Sequence, residues 1–271
     1  MHRRQIPLEF PLGESFAVSH DGLQVRGIAW GTGPAIYLVH GWGGWRTQLA
    51  AYALPLVKAG FRVVAYDALS HGDSDAGRSG PQSSDPLEAA GSLHEVVARF
   101  GAPHAIVAHS MGAIVVASAI RNGLPTPRRL VFIAAANTYN PSLDLLTDLT
   151  GIGPRTRRHL LRRIHQRLGL PFRYFDVAGI FSDLLAERGT LPHLLCLHDI
   201  NDPEMPYTGS VTIAEGWPNA QLHPTKGLGH RDILRDPDAI QMATTFLTQD
   251  STVQIRQPHS GPGHTRQEGT P

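Results

Sequence analysis

The chain has 271 residues, with 24 Lys and Arg against 23 Asp and Glu and a formal net charge of +1, which excludes a global field for nucleic acid or an anionic membrane. No apolar run reaches the ~20 residues of a bilayer span, and residues 1–10 open basic without the apolar stretch of a signal peptide. The single cysteine, Cys196, excludes an internal disulfide, so the expectation is a cytoplasmic protein large enough for one α/β domain with a substantial core.

In chain order, residues 14–19 and 23–30 read as strands joined by a hairpin turn at His20-Asp21-Gly22. Residues 35–39 form a third strand that ends in His40-Gly-Trp-Gly-Gly44. Helical spacing runs over 45–59 and stops at Gly60. A buried strand over 61–66 leads into a polar, Gly-rich loop at 67–84, and 86–100 is predicted helical. Strands at 105–108 and 130–135 enclose a small, apolar, buried helix at 112–120. From residue 35 this is βαβαβαβ, which calls for a parallel sheet with helices on both faces.

Residues 140–189 break the rhythm. They hold a helix-like stretch at 143–149, a basic segment at 155–168 and a third at 172–187, without a strand signal. They read as a helical insertion between two parts of one core, 1–139 and 190–248. Strands resume at 191–197 and 220–223, and an amphipathic helix over 232–247 closes the domain. Residues 249–271 are polar, rich in Pro, Gly, Ser and Gln, and are expected to be a disordered tail.

Ala108-His-Ser-Met-Gly112 lies between a strand and a helix with room only for a sharp reversal at Ser110. Small residues at minus two and plus two permit that turn, which lifts the hydroxyl clear and aims the Met111 N–H into the same space. Alone, the same residues favour a serine N-cap between strand and helix. The decision comes from the other strand ends, where a parallel sheet gathers its reactive groups. After the strand at 191–197 come Asp199, Asp202 and Glu204; after 220–223 comes His230 on the Gly-rich Gly227-Leu-Gly-His230. Nucleophile, acid and base in that order fit a serine activated by an oriented imidazole.

These motifs resemble the α/β-hydrolase fold family, over residues 14 to 248. His40-Gly-Trp-Gly-Gly44 is similar to its H-G-x-x-G oxyanion loop, which implies Trp42 as a second backbone N–H donor beside Met111. Asp67-Ala-Leu-Ser-His-Gly-Asp-Ser74 resembles D-x-R-G-x-G-x-S, with Leu69 for arginine and Ser70 for glycine. His198 to Pro206 resembles H-G-x-x-D-x-x-V-P, with Asp199 for glycine and Met205 for valine, and implies Asp202 as the acid. Asp199 is its competitor; Asp202-Pro203 adds a turn that can direct a carboxylate inward. The resemblance implies a helical cap at 140–189 and a serine hydrolase with the set Ser110, Asp202 and His230, acting on a carboxylic ester. Thioester hydrolysis, carbon–carbon cleavage, acyl transfer and cofactor-free perhydrolysis use the same parts, and a non-catalytic ligand-binding protein is the reading from another class.

His109 and His40 read as hydrogen-bonding positions beside the site, and Asp67 as a brace for its loop. Ser74 and Ser118 read as a loop hydroxyl and a helix-packing residue, and Cys196 as an inert buried thiol. The 15 histidines show no H-E-x-x-H or Cys/His ligand spacing, so neither metal nor cofactor is expected. In the basic segment, Leu160, Leu161, Ile164 and Leu168 share a helical face, which reads as a solvated helix docked by its leucines, with attraction of an anionic substrate as the rival. Trp42, Phe172, Tyr174, Phe175 and Phe181 predict an apolar pocket and a small-molecule substrate with an apolar acyl group.

Overall fold

A computed structural model describes residues 13–81, 83–139, 147 and 150–249. The tail beyond 249, the basic opening residues and all but Thr147 of the helix expected at 143–149 lie outside the described residues. One eight-stranded sheet carries the fold, in the order β1-β2-β4-β3-β5-β6-β7-β8. The strands are β1 Glu14–His20, β2 Leu23–Trp30, β3 Ala35–Val39, β4 Arg62–Tyr66, β5 Pro103–His109, β6 Arg129–Ile133, β7 His193–Asp199 and β8 Ala220–Thr225. β1 and β2 pair antiparallel, β2 meets β4 antiparallel, and β4, β3, β5, β6, β7 and β8 run parallel. This is the α/β-hydrolase fold, a mostly parallel sheet flanked by helices.

Two apolar layers sandwich the sheet, because successive residues of a strand face opposite sides. On β5, Ala105 and Val107 join Ile36, Leu38, Val131 and Leu56 of α1 (Ala53–Lys58) on one face. Ile106 and Ala108 join Tyr37, Phe132, Val96 of α2 (Pro86–Phe100) and Val116 of α3 (Gly112–Arg121) on the other. Between β6 and β7 lie α4 (Pro154–Leu168), a 3₁₀ turn at Phe172–Phe175 and α5 (Val177–Arg188). After β7 come α6 (Tyr207–Glu215), α7 (Gly229–Asp232) and α8 (Pro237–Thr248).

The differences from the sequence pattern have local causes. The helix expected over 45–59 is a 3₁₀ helix, Arg46–Tyr52, followed by the short α1. Pro55 lacks the N–H an α-helix would need there, so the α-helix begins within one turn of it. The closing helix divides because Asp236-Pro237 starts a new one, with the Asp236 carboxylate accepting the Ala239 N–H at 2.9 Å. β7 begins after Pro192, later than expected, and extends through His198 and Asp199. Helix α6 carries no strong apolar period; it buries Ser210 and Ile213.

The helices between β6 and β7 are fastened to the sheet by aromatic packing. Phe132 on β6 meets Phe181 of α5 and Trp217 after α6, with ring centroids 6.5 and 6.4 Å apart. Replacing Phe132 by alanine should destabilise the domain by about 3–5 kcal/mol, the usual cost of deleting a buried phenyl ring. Urea unfolding followed by tryptophan fluorescence checks this; a loss under about 1 kcal/mol would mean the ring is not a structural link.

Candidate active site

Ser110 sits between β5 and α3 at φ +55°, a left-handed conformation that costs a non-glycine residue on the order of 1–3 kcal/mol. Hydrogen bonds hold it there. Its N–H donates to Ile133 O at 2.9 Å, and its carbonyl accepts from Ala113 N and Ala136 N, both at 3.1 Å. The chains crossing the elbow leave no space for side chains. A Cβ on Gly112 would lie 2.7 Å from Val39 O and 3.0 Å from His40 O; one on Gly41 would lie 2.8 Å from Ser110 Cβ. The loop at 40–44 therefore rests directly on the serine.

His230 is presented by α7, and its Nδ1–H donates to Asp202 Oδ2 at 2.7 Å. Asp202 Oδ1 accepts the N–H groups of Glu204 and Met205 at 2.8 and 2.9 Å. Burial opposes the charge, yet donors from His198, His230 and Met205 hold the Asp202 carboxyl well below the usual carboxylate range. Asp199 has a different task. Its carboxylate accepts from Asn201 N at 2.9 Å, Leu228 N at 2.8 Å and the Thr225 hydroxyl at 3.1 Å, which ties the ends of β7 and β8 to the loop carrying His230. Burial works against that charge too, and the backbone donors win, lowering its pKa. Of the two aspartates, Asp202 touches the imidazole.

His109 Nε2–H donates to the His230 carbonyl at 3.0 Å, and the two rings lie 4.6 Å apart. Burial, and then the neighbouring His230, lower the His109 pKa to about 3, so this ring is neutral at physiological pH. It joins the elbow to the His230 loop. Ser110 and His230 are themselves nearly enclosed, at 8 % and 7 % exposure, and Ser110 Oγ makes no hydrogen bond to His230 among the described residues. Serine–imidazole contacts often tighten only when substrate is bound.

On the other side of the elbow, His40 Nδ1–H donates to Gly41 O at 2.7 Å and Nε2 accepts the Ala68 N–H at 3.1 Å. Burial, reinforced by His71, brings its pKa down to about 4. Asp67 is fully buried and takes the N–H groups of Arg46 and Asp73 as well as the Arg46 guanidinium, bracing the loops after β3 and β4. Ser70, standing where the resembled motif has glycine, keeps a left-handed φ of +65°. Its hydroxyl donates to Gly80 O at 3.0 Å and accepts from Gly77 N at 2.9 Å.

A narrow cleft opens beside the elbow, lined by Trp42 and Met111, by Val39, Ala89 and Val115, and by Tyr66, His40 and His71. Trp42 is 54 % exposed, so its indole stands at the mouth. The expected aromatic pocket is corrected in its membership. Of the expected aromatics Trp42 lines the cleft, joined by Tyr66, while Phe175 and Phe181 belong to the buried core and Phe172 and Tyr174 pack against it; Val39, Ala68, Ala89 and Val115 complete the apolar lining. Arg167 of α4 donates to the Ser83 hydroxyl at 2.9 Å, beside Ser84 and Asp85 on the cleft. Leu160, Leu161, Ile164 and Leu168 form the half-buried stripe of α4.

The resembled motif begins at His198 but gives that residue no task, and nothing in the sequence pattern singles out Ser210; the fold places both behind Asp202. His198 stands four residues before it, and only the geometry of the loop brings the two together. Among the described residues, no group of three or more His, Cys, Asp or Glu could hold a metal ion, and no described helix is long and apolar enough to cross a membrane. Burial pushes the Cys196 thiol up to about 12, which leaves it unreactive.

Comparison with known proteins adds a family and a set of folds. Residues 36–243 match the alpha/beta hydrolase family. Epoxide hydrolase 3 of Siraitia grosvenorii is 33% identical over 107 residues, an alignment covering 38% of this chain and 32% of that protein. The chain thus spans about a third of that relative's length. A predicted CIB-like hydrolase from Thermoplasma acidophilum superposes with a TM-score of 0.64 at 15% identity, over 88% of this chain and 99% of that one. The esterase RhEst1 from Rhodococcus sp. ECU1013 gives 0.61 at 21% identity, over 87% and 98%.

The division between the aspartates has a measurable sign. A carboxylate with a depressed folded pKa stabilises at neutral pH, and that stabilisation is lost as pH falls through the folded value. Asp199→Asn should cost about 1–3 kcal/mol at pH 7, one buried charge-assisted set of hydrogen bonds. The gap between wild type and variant should close as the pH drops below the ordinary carboxylate value of 3.8. Thermal unfolding measured across pH decides it; a gap constant with pH would show that Asp199 is not held as a stabilised anion.

Proposed function

Because the chain belongs to the alpha/beta hydrolase family, we propose that it is a serine hydrolase cleaving a small carboxylic ester through an acyl-enzyme on Ser110. The observation that carries this reading is the left-handed serine at the elbow, joined through His109 to an imidazole whose Nδ1–H is fixed on Asp202 at 2.7 Å. That hydrogen bond leaves His230 Nε2 as the proposed base. In the proposed cycle Nε2 takes the Ser110 proton as Oγ attacks the carbonyl carbon, and Asp202 steadies the imidazolium. The proton then passes to the departing alkoxide, and water, deprotonated by the same nitrogen, releases the acid. The N–H groups of Trp42 and Met111 are proposed to receive the oxyanion; one such donor is worth ~10²–10³ in turnover.

An ester fits these parts better than the epoxide named for the similar protein of Siraitia grosvenorii. A serine oxygen that opened an epoxide would be left as an alkyl ether, which His230 and water do not hydrolyse. A serine acyl ester, in contrast, turns over. The apolar part of the cleft lining, from Val39, Ala89, Val115 and Met111, supports a short, apolar acyl group. The helices α4 and α5 are proposed to cap the site, with the exposed arginines of α4 on the outside.

A fluorophosphonate probe followed by peptide mass spectrometry tests the reading. An adduct on Ser110 is expected, absent in Ser110→Ala and formed at least ~10³-fold more slowly in His230→Ala. Hydrolysis of p-nitrophenyl esters should fall off as the acyl chain outgrows the cleft. A folded protein that forms no adduct, or forms it elsewhere, would be a ligand-binding protein on this fold and not a serine hydrolase.

A further inference from the structure

His198 is fully buried at the end of β7, and the cycle above leaves it without a task. Its Nε2 lies 3.0 Å from the Met205 carbonyl and 3.3 Å from Asp202 Oδ2, the oxygen that also receives His230. Both neighbours are acceptors, so the proton is on Nε2. On the other side of the ring, Nδ1 meets the Ser210 hydroxyl of α6 at 2.7 Å, and Tyr207 stands edge-on with ring centroids 5.8 Å apart. The carboxylate of Asp202 consequently faces donors at both oxygens: Glu204 and Met205 N–H at Oδ1, His230 and His198 at Oδ2.

Asp202 lies on the short loop between β7 and α6, and a loop aspartate does not keep one orientation unaided. His198 anchors it from β7 while Ser210 anchors His198 from α6, so both flanking elements grip the same side chain. We propose that His198 is a positioning residue that holds Asp202 Oδ2 on the Nδ1–H of His230, with Ser210 fixing its ring. This rests on the reading of Ser110, His230 and Asp202 as the reacting set. His198 touches no substrate; it acts through the carboxylate.

Two variants separate the donor from mere packing, because the amide nitrogen of glutamine reaches where Nε2 sits while that of asparagine stops near Nδ1. In His198→Asn, fluorophosphonate labelling of Ser110 should slow about tenfold or more, the rate equivalent of one charge-assisted hydrogen bond. With p-nitrophenyl acetate, kcat should fall while KM stays within about twofold. The far-downfield proton resonance of the His230–Asp202 hydrogen bond should move. His198→Gln should restore both rate and resonance. Wild-type rate and an unmoved resonance in His198→Asn would overturn the proposal, as would a glutamine variant no better than asparagine. If His198→Asn does not fold, Ser210→Ala takes its place: a displaced resonance supports the proposal and an unmoved one overturns it. Wild-type protein that fails to label at Ser110 counts against the hydrolase reading alone, since the resonance still reports whether His198 holds Asp202.

Discussion

Ser110 holds a left-handed backbone because β5 must become α3 across two residues, and the neighbouring chains fill the space that any gentler path would use. The Ser110 N–H reaches across to Ile133 on β6, and its carbonyl takes N–H groups from both the helix and the loop after β6. Gly112 passes under the backbone of Val39 and His40, and Gly41 passes over Ser110 Cβ. The turn thus fixes the relative height of β3, β5 and β6. It also sets the loop carrying Trp42 against the helix end carrying Met111. A shift of the serine would have to move all of these together.

The surroundings of His230 are built by dividing labour between two aspartates three residues apart. Asp199 ends a strand and spends its oxygens on backbone and hydroxyl donors from β8 and the His230 loop, so it governs where the loop is. Asp202 spends one oxygen on its own turn and offers the other to imidazoles, so it governs how the ring of His230 is oriented. Two buried carboxylates so close would repel if either lacked partners. The supply of N–H donors, from backbone at Asp199 and from backbone and histidine at Asp202, is what allows both to remain charged.

Much of this was legible in the chain because parallel strands buried on both faces read as short, β-branched apolar runs, and the elbow needs small residues at fixed offsets. Strands 35–39 and 23–30 appear at their expected bounds for that reason. The failures fall where a proline decides locally, as at Pro55 and Pro237, or where a helix buries too few residues to show a pattern, as α6 does with Ser210 and Ile213. Sequence order alone could not choose between Asp199 and Asp202, because the end of β7 was uncertain by two residues and each residue reverses the side on which a carboxylate emerges. His198 was visible as the head of the motif carrying Asp202, but its task was not. Its partner Ser210 lies in the helix that the pattern did not reveal.

The distribution of strain gives an independent indication of where the chemistry lies. Four described non-glycine residues have positive φ, and Asp21 is explained by the Asp-Gly turn of the β1–β2 hairpin. The other three, Ser70, Ser110 and Ala134, lie in the segments that leave β4, β5 and β6 at their carboxyl ends. The buried Nδ1 of His109, which has no hydrogen-bond partner among the described residues, lies on the same edge. A fold shaped by stability alone would place glycine at such turns and a partner at such a nitrogen. Here Ser110 and Ala134 are held by hydrogen bonds to the neighbouring strands β6 and β7, and Ser70 by hydrogen bonds within its own loop. Strain so localised is expected where side chains must be aimed and not merely packed.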